Sequence, residues 1–392
     1  MKFQPKRTTF AISIIALTAI TLACVADDRE SNGLIEELTG KEANAWTGLK
    51  NSKWTVGGWA AAGINYNTDV PNDNTNGPVN MTDRNGEINL YQMNLFLEKA
   101  LGKGSSWEVG GRLDYMYGTD TRYTQAAGDW DSKFLNPNSY YNIAIPQAYV
   151  EAYAPYGNGI SAKIGHFYTI IGYESVPSAL NFFSSHTYSF KSSPFTTTGA
   201  LFNYNINERW NINLGAVKGM DNFDLNMQAW SQMSGLTYNN AEIGATVSFS
   251  IMQGPAYPNR PNNDVEYYTA VFQQQLGSWH YVLQHDRGTL NHAENKQTAA
   301  WYSVVQYLTY QMNEKWSFGG RGEWFRDQNG FRYGYGEASF YDVSLGANWK
   351  PKSWLLLRPE LRYDWSQAQT APFDSGRQPN QTLFLLDAVV QF

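Results

Sequence analysis

Residues 354–365 read WLLLRPELRYDW. Taken alternately, Leu355, Leu357, Leu361, Tyr363 and Trp365 stand on one side, and Arg358, Glu360, Arg362 and Asp364 on the other. A period of two is the signature of a strand, whose successive side chains point to opposite faces. A dozen residues is long for a strand of a soluble sandwich, which usually has about five or six. It suits a strand that crosses a bilayer at a tilt, which needs about 9–11. The apolar face then meets lipid, and the charged face looks into whatever the strand encloses.

The same pattern recurs. SWEVGGRLDYMYG (106–118) sets Trp107, Val109, Leu113, Tyr115 and Tyr117 against Glu108, Arg112 and Asp114. KWSFGGRGEWF (315–325) sets Trp316, Phe318 and Trp324 against Arg321 and Glu323. The chain ends on LLDAVVQF (385–392), a strand-like alternation that carries Asp387 on its polar side and finishes on Phe392. Tyr, Phe and Trp number 26, 20 and 14 in 392 residues. Trp54, Trp107, Trp210, Trp279, Trp316, Trp349 and Trp354 fall near strand ends, where interfacial girdles of a membrane barrel are built.

Connections alternate in length. Tight turns fall at 102–104, 155–158, 207–208, 239–241, 277–278, 313–315 and 351–353. Longer polar loops fall near 68–86, 118–142, 169–195, 219–227, 254–263, 288–298, 327–336 and 366–380. This rhythm predicts sixteen strands in an all-β, closed antiparallel transmembrane β-barrel, with short periplasmic turns and long external loops. Closure follows from the solvent, because hydrocarbon offers no partner to an unpaired backbone group. The last strand is therefore expected to seal the barrel against the first, at 53–67.

The amino terminus reads as export machinery. Lys2, Lys6 and Arg7 precede the apolar run 10–23, too short to span comfortably, and small residues precede Asp27. Residues 1–26 are read as a signal peptide, with lipidation at Cys24, the single cysteine, as the alternative. The acidic stretch 27–52 is read as a periplasmic lead-in and 53–392 as the barrel. A net charge of −6 without a basic patch argues against nucleic acid.

Sixteen strands enclose a bore wide enough for water. Arg112, Asp114, Arg321, Glu323, Arg358, Glu360 and Arg362 then become candidates to line it, bracing of the wall by salt bridges being the other reading. Loop 169–195, the largest, is rich in aromatic and apolar residues and so suits poorly an open position in water. It is expected to fold inward, with Tyr173, Glu174, His186 and Lys191 at a constriction and Lys163 nearby. Lys163 and His166 differ in parity, so one of them should face lipid or the rim.

GHFYTIIGYE (165–174) and NFFSSHTYSFKSSPFTTTGAL (181–201) resemble the β-barrel porin family of the OmpL-like type, as do 114–128, 146–153 and 216–223. The resemblance covers roughly 54–392 and implies an outer-membrane porin: a passive diffusion channel for small hydrophilic solutes or ions. Its partners would be outer-membrane lipid, those solutes, the assembly machinery reading the strand that ends in Phe392, and further copies of the chain. It brings no catalytic motif and no cofactor. His166, His186, His280, His285 and His292 follow no nucleophile motif, so an enzyme is not expected. Residues 72–83 echo a calcium loop with Asn72 and Asp83 in place of the usual end ligands, and read better as a polar loop. The alternative is a plugged barrel serving as structural anchor or adhesin, without conductance.

Overall fold

The computed structural model describes residues 33–49, 52–102, 104–134, 139–223, 229–257, 260–293 and 297–392. The segment read as a signal peptide lies outside them. The wall begins with β1 (Thr55–Asn67), β2 (Ile88–Lys99), β3 (Glu108–Gly118) and β4, which runs in two pieces, Asn142–Ala144 and Ala148–Ala154. It continues with β5 (Ile160–Tyr168), β6 (Thr196–Asn205), β7 (Trp210–Val217), β8 (Ser231–Asn240), β9 (Ala245–Tyr257) and β10 (Arg260–Leu276). It closes with β11 (Trp279–Leu290), β12 (Ala299–Gln311), β13 (Trp316–Asp327), β14 (Ala338–Lys352), β15 (Leu355–Ser366) and β16 (Asn380–Gln391). Both pieces of β4 pair with β3, and the gap between them holds Pro146, which has no N–H for the ladder. The wall therefore has sixteen strands, each antiparallel to the next, and β16 pairs with β1 from Trp59↔Gln391 to Asn67↔Leu383.

The seam explains the aromatic terminus. Phe392 N donates to Gly58 O at 3.0 Å and Gly58 N to Phe392 O at 2.9 Å, so pairing runs to the last residue. The Phe392 ring lies over Gly58, where a Cβ would come within 2.7 Å of the ring and 2.2 Å of Asn94 O. Beside it, the helix Leu34–Thr39 of the lead-in is fastened to the β14–β15 turn. Lys352 Nζ and Trp354 Nε1 each donate to the Glu37 carboxylate at 2.6 Å.

The outer face carries the apolar parity of each strand. Leu113, Leu214, Phe249, Leu345 and Leu386 are all exposed, a surface that only lipid makes economical. Exposed Trp107, Trp210, Trp279 and Trp349 stand at the short-turn rim, with Trp316 stacked on Trp349. At the other rim Tyr341 and Tyr363 stack on Trp365.

Seven of the eight long loops fall where the sequence puts them. The described residues of 254–263 do not form one: β9 and β10 pair as far as Tyr257↔Arg260. Its backbone is held as sheet from both flanks, by Met220 N to Ala256 O at 3.2 Å and Asn291 N to Asp264 O at 2.9 Å. Of the pair with opposite parity, His166 is the one on the outer face, beside lipid-facing Ile164. It is covered by Trp130 and Phe223, from the loops after β3 and β7, whose segments 127–128 and 222–223 form a short parallel pair.

Because the seam closes over a glycine, Gly58→Leu is expected to lower stability by about 1–3 kcal/mol through overpacking. A fall in the urea midpoint, and loss of the heat-resistant compact band on gels, measure this.

Candidate functional site: the inward loop and the lumen wall

Loop 169–195 leaves β5, turns into the barrel, crosses it and returns to β6. Its own composition drives it there: Phe183, Tyr188, Phe190 and Phe195 are all buried inside. A short helix, Tyr188–Ser192, is capped by Thr187, whose Oγ1 accepts from Phe190 N at 3.0 Å. The far wall receives this loop with hydrogen bonds from β11 round to β2.

Three arginines of that wall donate into the loop. On β15, Arg358 donates to the carbonyls of Ser178 at 2.9 Å and Asn181 at 2.8 Å, and to Ser178 Oγ at 2.7 Å, while its Nε meets Asp387 of β16 at 2.9 Å. Also on β15, Arg362 donates to His186 O at 2.6 Å and forks onto Asp364 at 2.7 Å. On β13, Arg321 donates to Ser185 O at 2.7 Å, to Asp342 of β14 at 3.0 Å and to Glu174 at 3.4 Å.

The carboxylates on the same wall take the loop's N–H groups. Glu360 accepts from Ser184 N at 2.9 Å and Ser185 N at 3.0 Å, and from the Ser185 hydroxyl. Glu323 accepts from Tyr188 N at 2.7 Å and Ser189 N at 2.8 Å. Unpaired charges here would cost several kcal/mol each, so the loop's backbone dipoles and the alternation of sign make this wall possible.

Glu174 is the loop's own anchor. Its carboxylate accepts from Thr187 N and Oγ1 at 3.0 Å each and from Tyr307 of β12 at 2.9 Å, and His186 Nδ1 lies 3.3 Å away. Burial pushes its carboxyl up. The hydrogen bond and field of the His186 imidazole, the Arg321 guanidinium and the Thr187 N–H outweigh that and hold it down at about 2. Tyr173 N donates to Gln284 of β11 at 2.8 Å, and Lys191 reaches Pro78 O at 3.1 Å in the loop after β1.

The residues singled out from sequence thus fall into separate groups. Arg321, Glu323, Arg358, Glu360 and Arg362 face inward as their parity requires, but each is at most 5% exposed. The expectation that they line water is corrected: the loop lies over them, and they brace it to the wall. Tyr173, Glu174 and His186 lie within the loop's anchorage, and Lys191 at its far end. Arg112, Asp114 and Lys163 stand on the near wall, away from this network. There Arg112 pairs with Glu98 at 3.0 Å and Asp114 at 2.6 Å, and Lys163 lies 3.8 Å from Glu151. Arg112 and Lys163 line a cavity that runs between Thr169–Pro177 of the loop and the inner faces of β7–β10.

Asp342, Gln92, Ser178 and Ser185 belong to the network and were not singled out. Asp342 shares the inward parity of β14, a signal period-two counting offers. The two serines act through contacts that only the folded loop creates.

The family model described as "Putative beta-barrel porin-2, OmpL-like" matches residues 53–392. The chain belongs to this porin family. Its fold is that of solved outer-membrane porins. The outer-membrane channel DcaP of Acinetobacter baumannii superposes with a TM-score of 0.58 at 12% identity, over 86% of this chain and 97% of its own. Pseudomonas putida OprB gives 0.56 at 11% identity, over 93% and 99%. OmpT of Vibrio cholerae, solved in a trimer form, gives 0.56 at 11% identity, over 86% and 99%. No curated protein matches.

Arg358→Ala removes the loop's strongest tie and leaves Asp387 buried without its partner. A loss of about 3–5 kcal/mol is expected in chemical denaturation. A second outcome concerns acid. Glu174 has a folded pKa below its unfolded value, so its contribution is full above about pH 5 and is lost progressively as pH falls toward about 2. Protease resistance of the loop should be unchanged between pH 7 and about pH 5 and should fall progressively from there to about pH 2.

Proposed function

We propose that this chain is an outer-membrane porin through which small hydrophilic solutes diffuse passively, by a narrow and eccentric route. The observation that carries this is the placement of loop 169–195. It fills the side of the lumen bounded by β11–β16 and leaves the cavity on the side bounded by β3–β10. Diffusion needs no catalytic residue; it needs a bore, a polar lining and a constriction. Here the constriction is the loop segment from Thr169 to Pro177, facing Arg112 and Lys163 across the cavity.

The proposal extends to the chain's life in the cell. Residues 1–26 direct export, 27–52 form a lead-in at the short-turn rim, and 53–392 form the barrel. The strand ending in Phe392 is what the assembly machinery reads, the exposed apolar band meets lipid, and the chain's likeness in fold to OmpT, solved in a trimer form, supports assembly of several copies.

One observation favours the second reading, a plugged anchor: the loop is tied to the wall at its middle and to the loop after β1 at its far end. Conductance separates the two. Refolded protein in a planar bilayer is expected to give steady small steps. Deleting residues 178–190 should raise the unit conductance several-fold by clearing the β11–β16 side. Silence of the intact protein, with steps only in the deletion variant, would favour the anchor.

A further inference from the structure

The two sides of the lumen differ in chemistry. The side under the loop is ionic. On the five consecutive strands β6–β10, no inward-facing position among the described residues carries an acidic, basic or histidine side chain. Amides and hydroxyls stand there instead: Asn213, Thr237, Thr246, Ser248, Ser250 and Gln273 border the cavity. Next to them an amide ladder runs up the wall, with Asn203 Nδ2 2.8 Å from Asn211 Oδ1 and 2.9 Å from Asn213 Oδ1. The opposite border of the cavity is aromatic: Tyr149, Tyr168, Tyr173, Phe190 and Phe195 contribute to it. Its charged groups are committed locally: Arg112 between Glu98 and Asp114, Lys163 over the Tyr149 ring at 4.2 Å and toward Glu151, and Glu174 with Thr187, Tyr307 and Arg321.

We infer that the solute class of this passage is the neutral polyhydroxylated compound with an apolar face, a mono- or short oligosaccharide, rather than an ion. The inference rests on the channel reading given above. A wall of amides and hydroxyls both donates and accepts, so a solute rich in hydroxyls can exchange its bonds to water for bonds to the wall with little net loss. The C–H face of a sugar ring can lie on the aromatic border and shed apolar surface there. An ion finds no such exchange. It leaves part of its hydration at the constriction, and β6–β10 supply no counter-charge for it.

Liposome swelling tests this with solutes matched in size. Vesicles carrying the full-length protein are challenged with glucose, with gluconate and with glucosamine at a pH where it is charged. Glucose is expected to enter at least about tenfold faster than either charged analogue, and Asn213→Asp with Ser248→Asp is expected to narrow the gap for glucosamine alone. Equal rates for all three solutes would overturn the inference and leave the channel reading standing. Swelling with none of them, by protein that runs as a folded barrel on gels, would overturn both.

Discussion

Charge inside a membrane barrel must be answered at close range. Here the answer comes from a loop. Arg321, Arg358 and Arg362 give their guanidinium protons partly to wall carboxylates and partly to carbonyls of residues 178–186. Glu323 and Glu360 take N–H groups from residues 184–189 in return. Each half supplies what the other lacks. The wall without the loop would hold alternating charges needing water, and the loop without the wall would carry a buried backbone with no sheet to bond. The position of the bore, the depth of the loop and the pairing across β13–β16 follow from this one exchange.

The exchange also explains an asymmetry. Ionic side chains gather on β13–β16, where the middle of the loop neutralises them, and among the described residues none stands on the inner faces of β6–β10. Amides and hydroxyls need no such cover, since water satisfies them at little cost. The cavity therefore lies to one side, between loop and neutral wall. The near-wall ions Arg112, Asp114 and Lys163 are balanced by neighbours on β2–β5 rather than by the loop.

Much of the architecture was legible in the sequence because it rests on local rules. Period-two alternation marks each strand, strand length separates a membrane wall from a sandwich, and the alternation of short and long connections gives the count of sixteen. Parity also placed Arg358, Glu360 and Arg362 on the inner face, and the apolar content of 169–195 pointed to a loop turned inward. What parity cannot say is what a side chain meets once inside. Arg358 finds Ser178 and Asn181, about 180 positions away in the chain, only because the barrel closes and the loop crosses it. For the same reason these charges brace the loop instead of lining water. The segment 254–263 shows a second limit: its prolines and polar residues read as a loop, yet flanking backbone bonds hold it as sheet.

The central claim is that loop 169–195 is docked on the far wall of the lumen. Ser189 Oγ and Ser303 Oγ lie 3.0 Å apart, one on the loop and one on β12, both buried. In a Cys24→Ser background, Ser189→Cys with Ser303→Cys should form a disulfide in the folded barrel on mild oxidation, with neither thiol open to a charged maleimide. Two free thiols that both react with the maleimide, in protein that still migrates as a folded barrel, would contradict the account.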